Sequence, residues 1–292
     1  MTLFPVFITA GTAFLFYALI PVIGAFISRK QWKSFRLSVM EAKNLPMLDK
    51  LNLQGELPEY CLAMGEIDAM EGENELWIKS AKFSFVMDLE DSLVFLLSDF
   101  KSGEDRVYRQ NWKNLKTLSP GSRIFAIAKP EILEGRLILE KHQLVIIHDG
   151  EDKTVMRRAV WAGRHLNEYW NPLTQISLII GVAASSLLAS ISLGPRSPSL
   201  ILSLLITIVF SPLLPLLPPG VLLFFLYRYN WRKAWYCRAR RDAARLEQEK
   251  AAIIQSWNTK SLFAMATSML AFAVSVFLNG WIVVSLLRRF LL

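Results

Sequence analysis

Long apolar blocks alternate with charged segments along this chain. Two of the blocks stand back to back, Leu173–Leu193 and Leu200–Tyr227, with only Gly194–Ser199 between them. A helix needs about 20 apolar residues to cross the hydrocarbon core of a bilayer, and each block is long enough. The pattern predicts a transmembrane helical hairpin.

Two further blocks, Leu3–Ile27 and Ser261–Leu287, lie towards the two ends of the chain. The first lacks the basic start and the small-residue cleavage site of a signal peptide, so we interpret it as a span. The composition agrees, since 53% of the residues are hydrophobic and the mean hydropathy is +0.32. The sequence therefore predicts four transmembrane helices, over residues 1–28, 171–194, 198–228 and 261–287.

The segment from 29 to 170 has mixed charges and short apolar runs, several of which alternate with a period of two. Such alternation is typical of antiparallel strands. We expect a hairpin through Lys141 and His142, a bulge at Gly65 and a helical piece near Gln110–Leu115. The predicted strands are Cys61–Ala69, Trp77–Met87, Ser92–Ser98, Ser122–Lys129, Gly135–Glu140, Gln143–His148 and Thr154–Trp161. Their number and spacing favour a small antiparallel β domain, an OB-like barrel or a sandwich.

Four prolines interrupt the third predicted span, namely Pro212, Pro215, Pro218 and Pro219. Each removes a backbone donor and clashes with the preceding turn, so we expect the helix to break between residues 212 and 220. Broken backbone at membrane depth is tolerated only where protein or water satisfies it. The break either lines a path, as in transporters, or lies near an interface and redirects the chain. The lack of ionisable residues beside it favours the second interpretation.

A dense run of basic and aromatic residues follows the third span. The predicted lipid-interface residues are Arg228, Trp231, Arg232, Lys233, Arg238, Arg240 and Arg241. We expect residues 229–260 to form a basic amphipathic helix over Ala234–Trp257, on anionic phospholipid headgroups. We also attribute the net charge of +8 to binding of anionic lipid, because no nucleic-acid-binding motif accompanies the basic residues.

The basic run also predicts the orientation of the protein, because cytoplasmic loops carry an excess of Lys and Arg. This rule predicts that the basic run and the β domain lie in the cytoplasm and that both chain ends lie outside. The four basic residues within Ser28–Arg36, directly after the first span, support the same orientation. Cys61 and Cys237 then read as reduced thiols. The predicted fold class is a multi-pass α-helical membrane protein with an inserted cytoplasmic β domain. We expect it in the bacterial inner (cytoplasmic) membrane.

Recognisable catalytic chemistry is missing from the sequence. There is no phosphate-binding Gly-rich loop and no nucleophile-elbow motif. His142, His148 and His165 have no metal-ligand spacing, and the acidic groups near Asp88 and Asp149 read as polar turns. The sequence thus predicts no catalytic residue, no metal and no cofactor, and it favours a protein that is not an enzyme.

The order of elements resembles a known plan. One N-terminal span precedes a β domain near Cys61–Trp161, in which Leu118-Ser119-Pro120-Gly121 leads into a hairpin containing Gly135. This is similar to membrane-anchored OB-like proteins, the NfeD-type proteins and the GIDE-type domain of membrane ubiquitin ligases. The resemblance covers roughly half of the chain and implies partnership with other membrane proteins. The RING cysteines and histidines of the ligases are missing, so ligase activity is not implied, and no functional residue carries over.

These observations predict a non-enzymatic integral membrane subunit or scaffold. It would assemble with other integral membrane proteins in the lipid bilayer and dock a cytoplasmic partner through its β domain. Two alternatives stay open: a transporter or channel component that uses the proline-broken third span, and an interfacial membrane enzyme that acts on lipid or peptide.

Overall fold

The computed structural model describes residue 8 and residues 11–99, 105–115, 117–119, 121–169, 171–193 and 214–291. The chain divides into two compact units. The first, which we call the helical unit, comprises residues 1–30, 168–238 and 252–292. The second, the barrel unit, comprises residues 31–167 and 239–251.

Five α-helices occur in the described residues. They are α1 (Ile20–Glu41, which a π-helical turn at Leu15–Leu19 precedes), α2 (Asp152–Ala162), α3 (Pro172–Leu193), α4 (Val221–Leu246) and α5 (Ala251–Leu291). In the described ranges, three helical stretches are long and apolar enough to cross a membrane: Gly11–Asn44, Asp152–Leu188 and Ala251–Leu286. They overlap the first, second and fourth predicted spans. The first part of the third, residues 198–213, lies outside the described residues.

The predicted single helix over Ala234–Trp257 is wrong. Helix α4 ends at Leu246, and Gln248 adopts a positive φ of 56°. A new helix, α5, begins at Ala251 and continues into the last apolar block. The helix-forming composition of this segment concealed the short break, because polar residues such as Gln and Glu occur in helices and turns alike.

Seven strands form one sheet in the barrel unit. They are β1 (Cys61–Glu71), β2 (Glu75–Lys79), β3 (Ser84–Asp88), β4 (Leu93–Asp99), β5 (Asp105–Asn111), β6 (Arg123–Leu133) and β7 (Arg136–His148). Their order is β3-β2-β1-β6-β7-β4-β5, and a parallel β3–β7 pairing closes the first five into a barrel. The order within the closed part is OB-like. Strands β4 and β5 form a hairpin that extends from β7 beside the closed barrel.

The expected hairpin through Lys141 and His142 is wrong, because β7 runs without interruption from Arg136 to His148. The register between β6 and β7 shifts at this point, and Lys141 adopts a positive φ of 48°. The polar residues Lys141 and His142, which resembled a turn in the sequence, therefore lie at a bulge within one long strand. The actual hairpin turn lies at 134–135, between β6 and β7.

Three other strand assignments need correction. The stretch Trp77–Met87 is a hairpin, β2 and β3, and not one strand. The predicted strand Thr154–Trp161 is helix α2, whose residues Val155, Ala159 and Val160 are fully buried. Strand β5 was not predicted, because it carries several charged residues and a single buried one, Val107.

The apolar pattern of β6 and β7 explains why helices pack against the barrel. Ile124 and Ala126 belong to the cluster that fills the barrel, whereas Phe125 and Ile127 alternate with them on the outer face. Since side chains of successive residues point to opposite faces, both faces of this strand are apolar. The C-terminal part of α1 and helix α2 supply the residues that bury the outer face, Phe35, Val39, Val155, Ala159 and Val160.

Gly65 lies where β1 approaches β2 closely. A Cβ atom at this position would lie 2.6 Å from Cγ2 of Ile78 and 2.6 Å from the carbonyl oxygen of Lys79. The register shift that was expected at Gly65 occurs instead between Ile67 and Ala69. The glycine is therefore required for close packing of two backbones and not for a bulge.

Replacing Gly65 by alanine should destabilise the barrel by about 1–3 kcal/mol, because overpacking forces backbone shifts. Thermal unfolding of the full-length protein in mild detergent measures the effect. Gly55→Ala is the matched control, since its Cβ would meet only ordinary contacts, the nearest at 3.6 Å. Equal melting temperatures for the two variants would contradict the packing at Gly65.

Candidate functional site

The described part of the proline segment is not α-helical. Residues Leu214–Leu216 form one 3-10 turn, a bend and a turn follow, and α4 begins at Val221. Pro215 is buried in this segment, whereas Pro218 and Pro219 are exposed. Pro212 lies outside the described residues. The segment thus leaves several backbone groups without partners in a regular helix.

Side chains of α5 satisfy these backbone groups. The Nδ2 of Asn279 donates to the carbonyl oxygens of Leu214 at 2.7 Å and Leu217 at 2.8 Å. Its Oδ1 accepts the N–H of Gly220 at 3.1 Å. The hydroxyl of Ser275 lies within hydrogen-bond distance of the carbonyl oxygens of Pro215 (3.1 Å) and Gly220 (2.9 Å). We call residues 214–220 with Ser275 and Asn279 the proline turn.

The proline turn is closed to solvent on its inner side. Asn279 is 1% exposed and Ser275 is 0% exposed. A Cβ atom at Gly220 would lie 2.3 Å from Nδ2 of Asn279, so only glycine allows this approach. The polar groups here are paired with protein, and this arrangement is typical of a packed structural element.

A row of small polar residues on α5 continues this contact along α4. The hydroxyl of Ser268 donates to the carbonyl oxygen of Tyr227 at 3.3 Å, and Oγ of Ser261 accepts from Nε of Arg238 at 3.2 Å. Both serines are buried. Small polar side chains allow close approach and hydrogen bonds between helices in lipid. Helices α4 and α5 therefore form an antiparallel pair within the helical unit.

The other helices of the helical unit pack in the same manner. The hydroxyl of Ser177 on α3 donates to the carbonyl oxygen of Phe16, and Nδ2 of Asn171 donates to that of Pro21 at 3.0 Å. Gly181 on α3 also makes a close helix contact, since an added Cβ would lie 2.5 Å from the ring of Tyr17.

Large apolar side chains cover the outside of the helical unit. Examples are Phe26 (70% exposed), Leu222 (74%), Phe263 (75%) and Phe277 (73%). Most of the exposed large apolar side chains in the described part of the chain belong to this unit. Water-soluble proteins rarely expose apolar surface on this scale, and the surface is compatible with a membrane protein.

The predicted lipid-interface residues fall into two groups. Arg228, Arg232 and Lys233 are exposed on α4 in the helical unit, directly after the exposed apolar residues Leu222 and Leu226. This change from apolar to basic along one helix face is typical of a membrane–water boundary. Trp231 is half-buried and lies 6.3 Å from Trp235, centroid to centroid.

Each of the remaining basic residues makes contacts within its own unit. Arg238 is half-buried and bonds to Ser261 in the helical unit. Arg240 is exposed and lies 5.3 Å above the ring of Trp161 in the barrel unit. Arg241 is half-buried and belongs to an ion cluster around Asp242.

Asp242 receives three guanidinium groups within the barrel unit. Its Oδ2 lies 2.8 Å from Nη1 of Arg36 and 2.9 Å from Nε of Arg164. Its Oδ1 lies 3.0 Å from Nη2 of Arg241. The side chain of Asp242 is 2% exposed and that of Arg36 is 6% exposed. This carboxylate joins α1, α4 and the π-helical turn Gly163–Asn167.

Charge is divided very unequally between the two units. The helical unit contains ten basic residues, namely Arg29, Lys30, Arg196, Arg228, Arg232, Lys233, Arg238, Lys260, Arg288 and Arg289. Its one acidic residue is Glu168. The remaining 23 basic and 24 acidic residues, out of 33 and 25, belong to the barrel unit. The excess positive charge of the chain therefore lies in the unit with apolar surfaces.

Burial and hydrogen bonds shift the pKa values of several titratable groups in the barrel unit. Burial raises the pKa of Cys61 to about 12, so its thiol stays protonated at neutral pH. Burial also lowers the pKa of His148, which Asp152 counteracts in part, and the uncharged imidazole is favoured. A hydrogen bond from Arg123 to Asp152 raises the pKa of that guanidinium. Within the described residues, no three His, Cys, Asp or Glu side chains converge in a way that could hold a metal ion.

An acidic groove of about 510 Å³ lies where β7 changes its partner from β3 to β4. Its lining includes Asp88, Glu90, Asp91, Glu140 and His142. Lys113, which does not line the groove, forms an ion pair with Asp91 at 2.7 Å. Burial lowers the pKa of His142. The acidic residues near Asp88 include a turn at Glu90 and Asp91, as expected, and this turn is one wall of the groove.

No family model, no curated protein and no solved structure matches this chain. The assignment of function consequently depends on the two units themselves. Sequence reasoning identified the prolines and the basic run but not Asn279, Ser275 or Asp242. An isolated Asn in an apolar span is a signal that could have indicated Asn279, because such a residue usually pairs with protein.

Proposed function

We propose that the protein is a non-enzymatic membrane subunit or scaffold that assembles with other integral membrane proteins and docks a cytoplasmic partner through its β domain. The helical unit would cross the bilayer four times, with both chain ends outside. The barrel unit and the basic face of α4 would lie in the cytoplasm, in the bacterial inner membrane.

The main support for this proposal is the unequal distribution of charged residues between the two units. The helical unit combines ten basic residues and a single acidic one with exposed apolar faces, whereas the barrel unit is nearly neutral. Basic residues next to apolar helices are expected at the cytoplasmic face of a membrane. The pairing of the proline turn with Ser275 and Asn279 supports a structural role over a transport path.

The barrel supports the docking part of the proposal. Ile132 and Leu133, at the end of β6, are 45% and 46% exposed at the tip of the β6–β7 hairpin. Apolar side chains at an exposed tip are suitable anchors for a protein partner, because contacts of this kind contribute most where they become buried. The buried, protonated Cys61 and uncharged His148 offer no reactive group for catalysis.

Purification of the full-length protein in mild detergent tests the proposal. We expect defined membrane and soluble proteins to co-purify, and the double change Ile132→Ser with Leu133→Ser should release the soluble partner while the membrane partners remain. Lys82→Ser, at another exposed site of the barrel, is the control. A lone monomer without any stoichiometric partner would refute the scaffold role.

A further inference from the structure

Trp235 on α4 lies at the centre of a cationic cluster in the helical unit. The Cζ of Arg29 lies 5.5 Å from the centroid of its ring, and the Cζ of Arg238 lies 5.1 Å from it. Both distances are within the range of a cation–π interaction. We call Arg29, Trp235 and Arg238 the indole clamp.

The indole of Trp235 has an unused hydrogen-bond donor. Trp235 is 2% exposed, and its Nε1 is buried without a hydrogen-bond partner in the described part of the chain. An indole nitrogen can only donate, and a buried donor without a partner is costly. The missing partner must therefore be an acceptor, and the neighbouring guanidinium groups favour an acceptor with negative charge.

The surroundings of the indole clamp contain further positive charge. Lys233 and Lys260 both act electrostatically on the thiol of Cys237, two residues after Trp235. Arg29 is exposed and has no ion pair with a carboxylate among the described residues. The sequence of the helical unit offers only Glu168 as an acid, so this unit supplies too few anions for its own cations.

We propose that the indole clamp binds the phosphate of an anionic phospholipid. A phosphate diester accepts hydrogen bonds from an indole N–H and from guanidinium groups, and anionic lipids are attracted to basic residues near the surface. Phe26, one turn before Arg29 on the same helix, is 70% exposed and provides an apolar surface for the acyl chains. This inference rests on the proposed membrane location and names the lipid partner of that surface.

Native mass spectrometry of the full-length protein in mild detergent tests the site. The probes are phosphatidylglycerol and phosphatidylcholine with identical acyl chains. We expect one phosphatidylglycerol to be retained in preference to phosphatidylcholine. Trp235→Phe keeps the ring but removes the donor, and Arg29→Gln removes an exposed charge. Each should weaken phosphatidylglycerol binding about tenfold, the equivalent of one charge-assisted hydrogen bond.

Arg109→Gln is the matched control, because it removes one exposed guanidinium from the barrel unit and is not one of the predicted lipid-interface residues. Unchanged binding in this variant is expected, and a loss equal to that of Arg29→Gln would overturn the site in favour of diffuse attraction. Inorganic phosphate is the second probe. Binding of phosphate as tight as that of phosphatidylglycerol would overturn the lipid assignment. Mass spectrometry measures lipid bound to this protein without any partner. The result of the lipid test is therefore independent of whether partner proteins co-purify.

Discussion

Replacing Asp242 by asparagine is expected to lower the free energy of unfolding of the barrel unit by about 3–5 kcal/mol, because removal of one member of a buried ion cluster leaves uncompensated charge. Asp242 is 2% exposed and lies within 3.0 Å of three guanidinium groups. Asparagine keeps the shape of the side chain but cannot neutralise any of them. The variant should therefore melt at a markedly lower temperature.

Thermal unfolding of the full-length protein in mild detergent, followed by tryptophan fluorescence, measures this effect. Glu249→Gln is the control, since it removes one exposed negative charge from the same segment of the barrel unit. It should melt close to the natural protein. Similar melting temperatures for Asp242→Asn and Glu249→Gln would show that the cluster does not stabilise the barrel unit.

Replacing Asn279 by leucine is the second change with a large expected effect, a loss of about 3 kcal/mol. The variant leaves the N–H of Gly220 without a partner. It also removes the second donor to the carbonyl oxygens of Leu214 and Leu217, each of which accepts a backbone N–H as well. Each unsatisfied buried group costs about 1–3 kcal/mol, although hydrogen bonds between membrane helices have averaged about 0.6 kcal/mol. The N–H of Gly220 is buried and has no second hydrogen-bond acceptor among the described residues, so the upper part of this range applies.

Asn230→Leu is the control for this prediction. Asn230 on α4 donates to the carbonyl oxygen of Leu226 in its own helix, at 3.0 Å. That carbonyl keeps its helical environment when the side chain is removed, so the control should lose little stability. Melting temperatures in detergent compare the two variants. An unaltered melting temperature for Asn279→Leu would contradict the role of Asn279 in the proline turn.

The sequence predicted those elements whose signal is local. The run Ser92–Ser98 corresponds to β4 (Leu93–Asp99) because it is apolar throughout and bounded by polar residues. The alternation in Ser122–Lys129 corresponds to the first part of β6. The helical piece near Gln110–Leu115 is a 3-10 turn at Trp112–Asn114, whose Trp112 indole donates to the carbonyl oxygen of Glu73.

Other elements depend on contacts that a local pattern does not contain. Helix α2 resembled a strand because eight residues with several apolar positions fit either period, and only packing on the outer face of the barrel selects the helix. The pairing of Asp242 with Arg36 spans 206 positions, and that of Asn279 with Leu214 spans 65. Such long-range polar contacts become visible only once the fold brings the residues together.

The charge division links the fold to the proposed function. Apolar faces and nearly unopposed basic residues occur in the same unit, and the folded barrel contains almost all of the acids. A bilayer satisfies both needs of the helical unit, with hydrocarbon for its faces and anionic headgroups for its basic residues. Partner proteins would then reach the barrel from the aqueous side.

Labelling of single cysteines in intact cells tests this account most directly. In a chain with Cys61→Ala and Cys237→Ala, one cysteine is introduced by Lys82→Cys in the barrel unit, Gln248→Cys after α4, or Ser197→Cys between the second and third predicted spans. An impermeant thiol reagent applied from outside should label Ser197→Cys alone, and the other two only after the cells are opened. Labelling of Lys82→Cys and Gln248→Cys on opposite sides of the membrane, or of all three on one side, would contradict four spans with a cytoplasmic barrel.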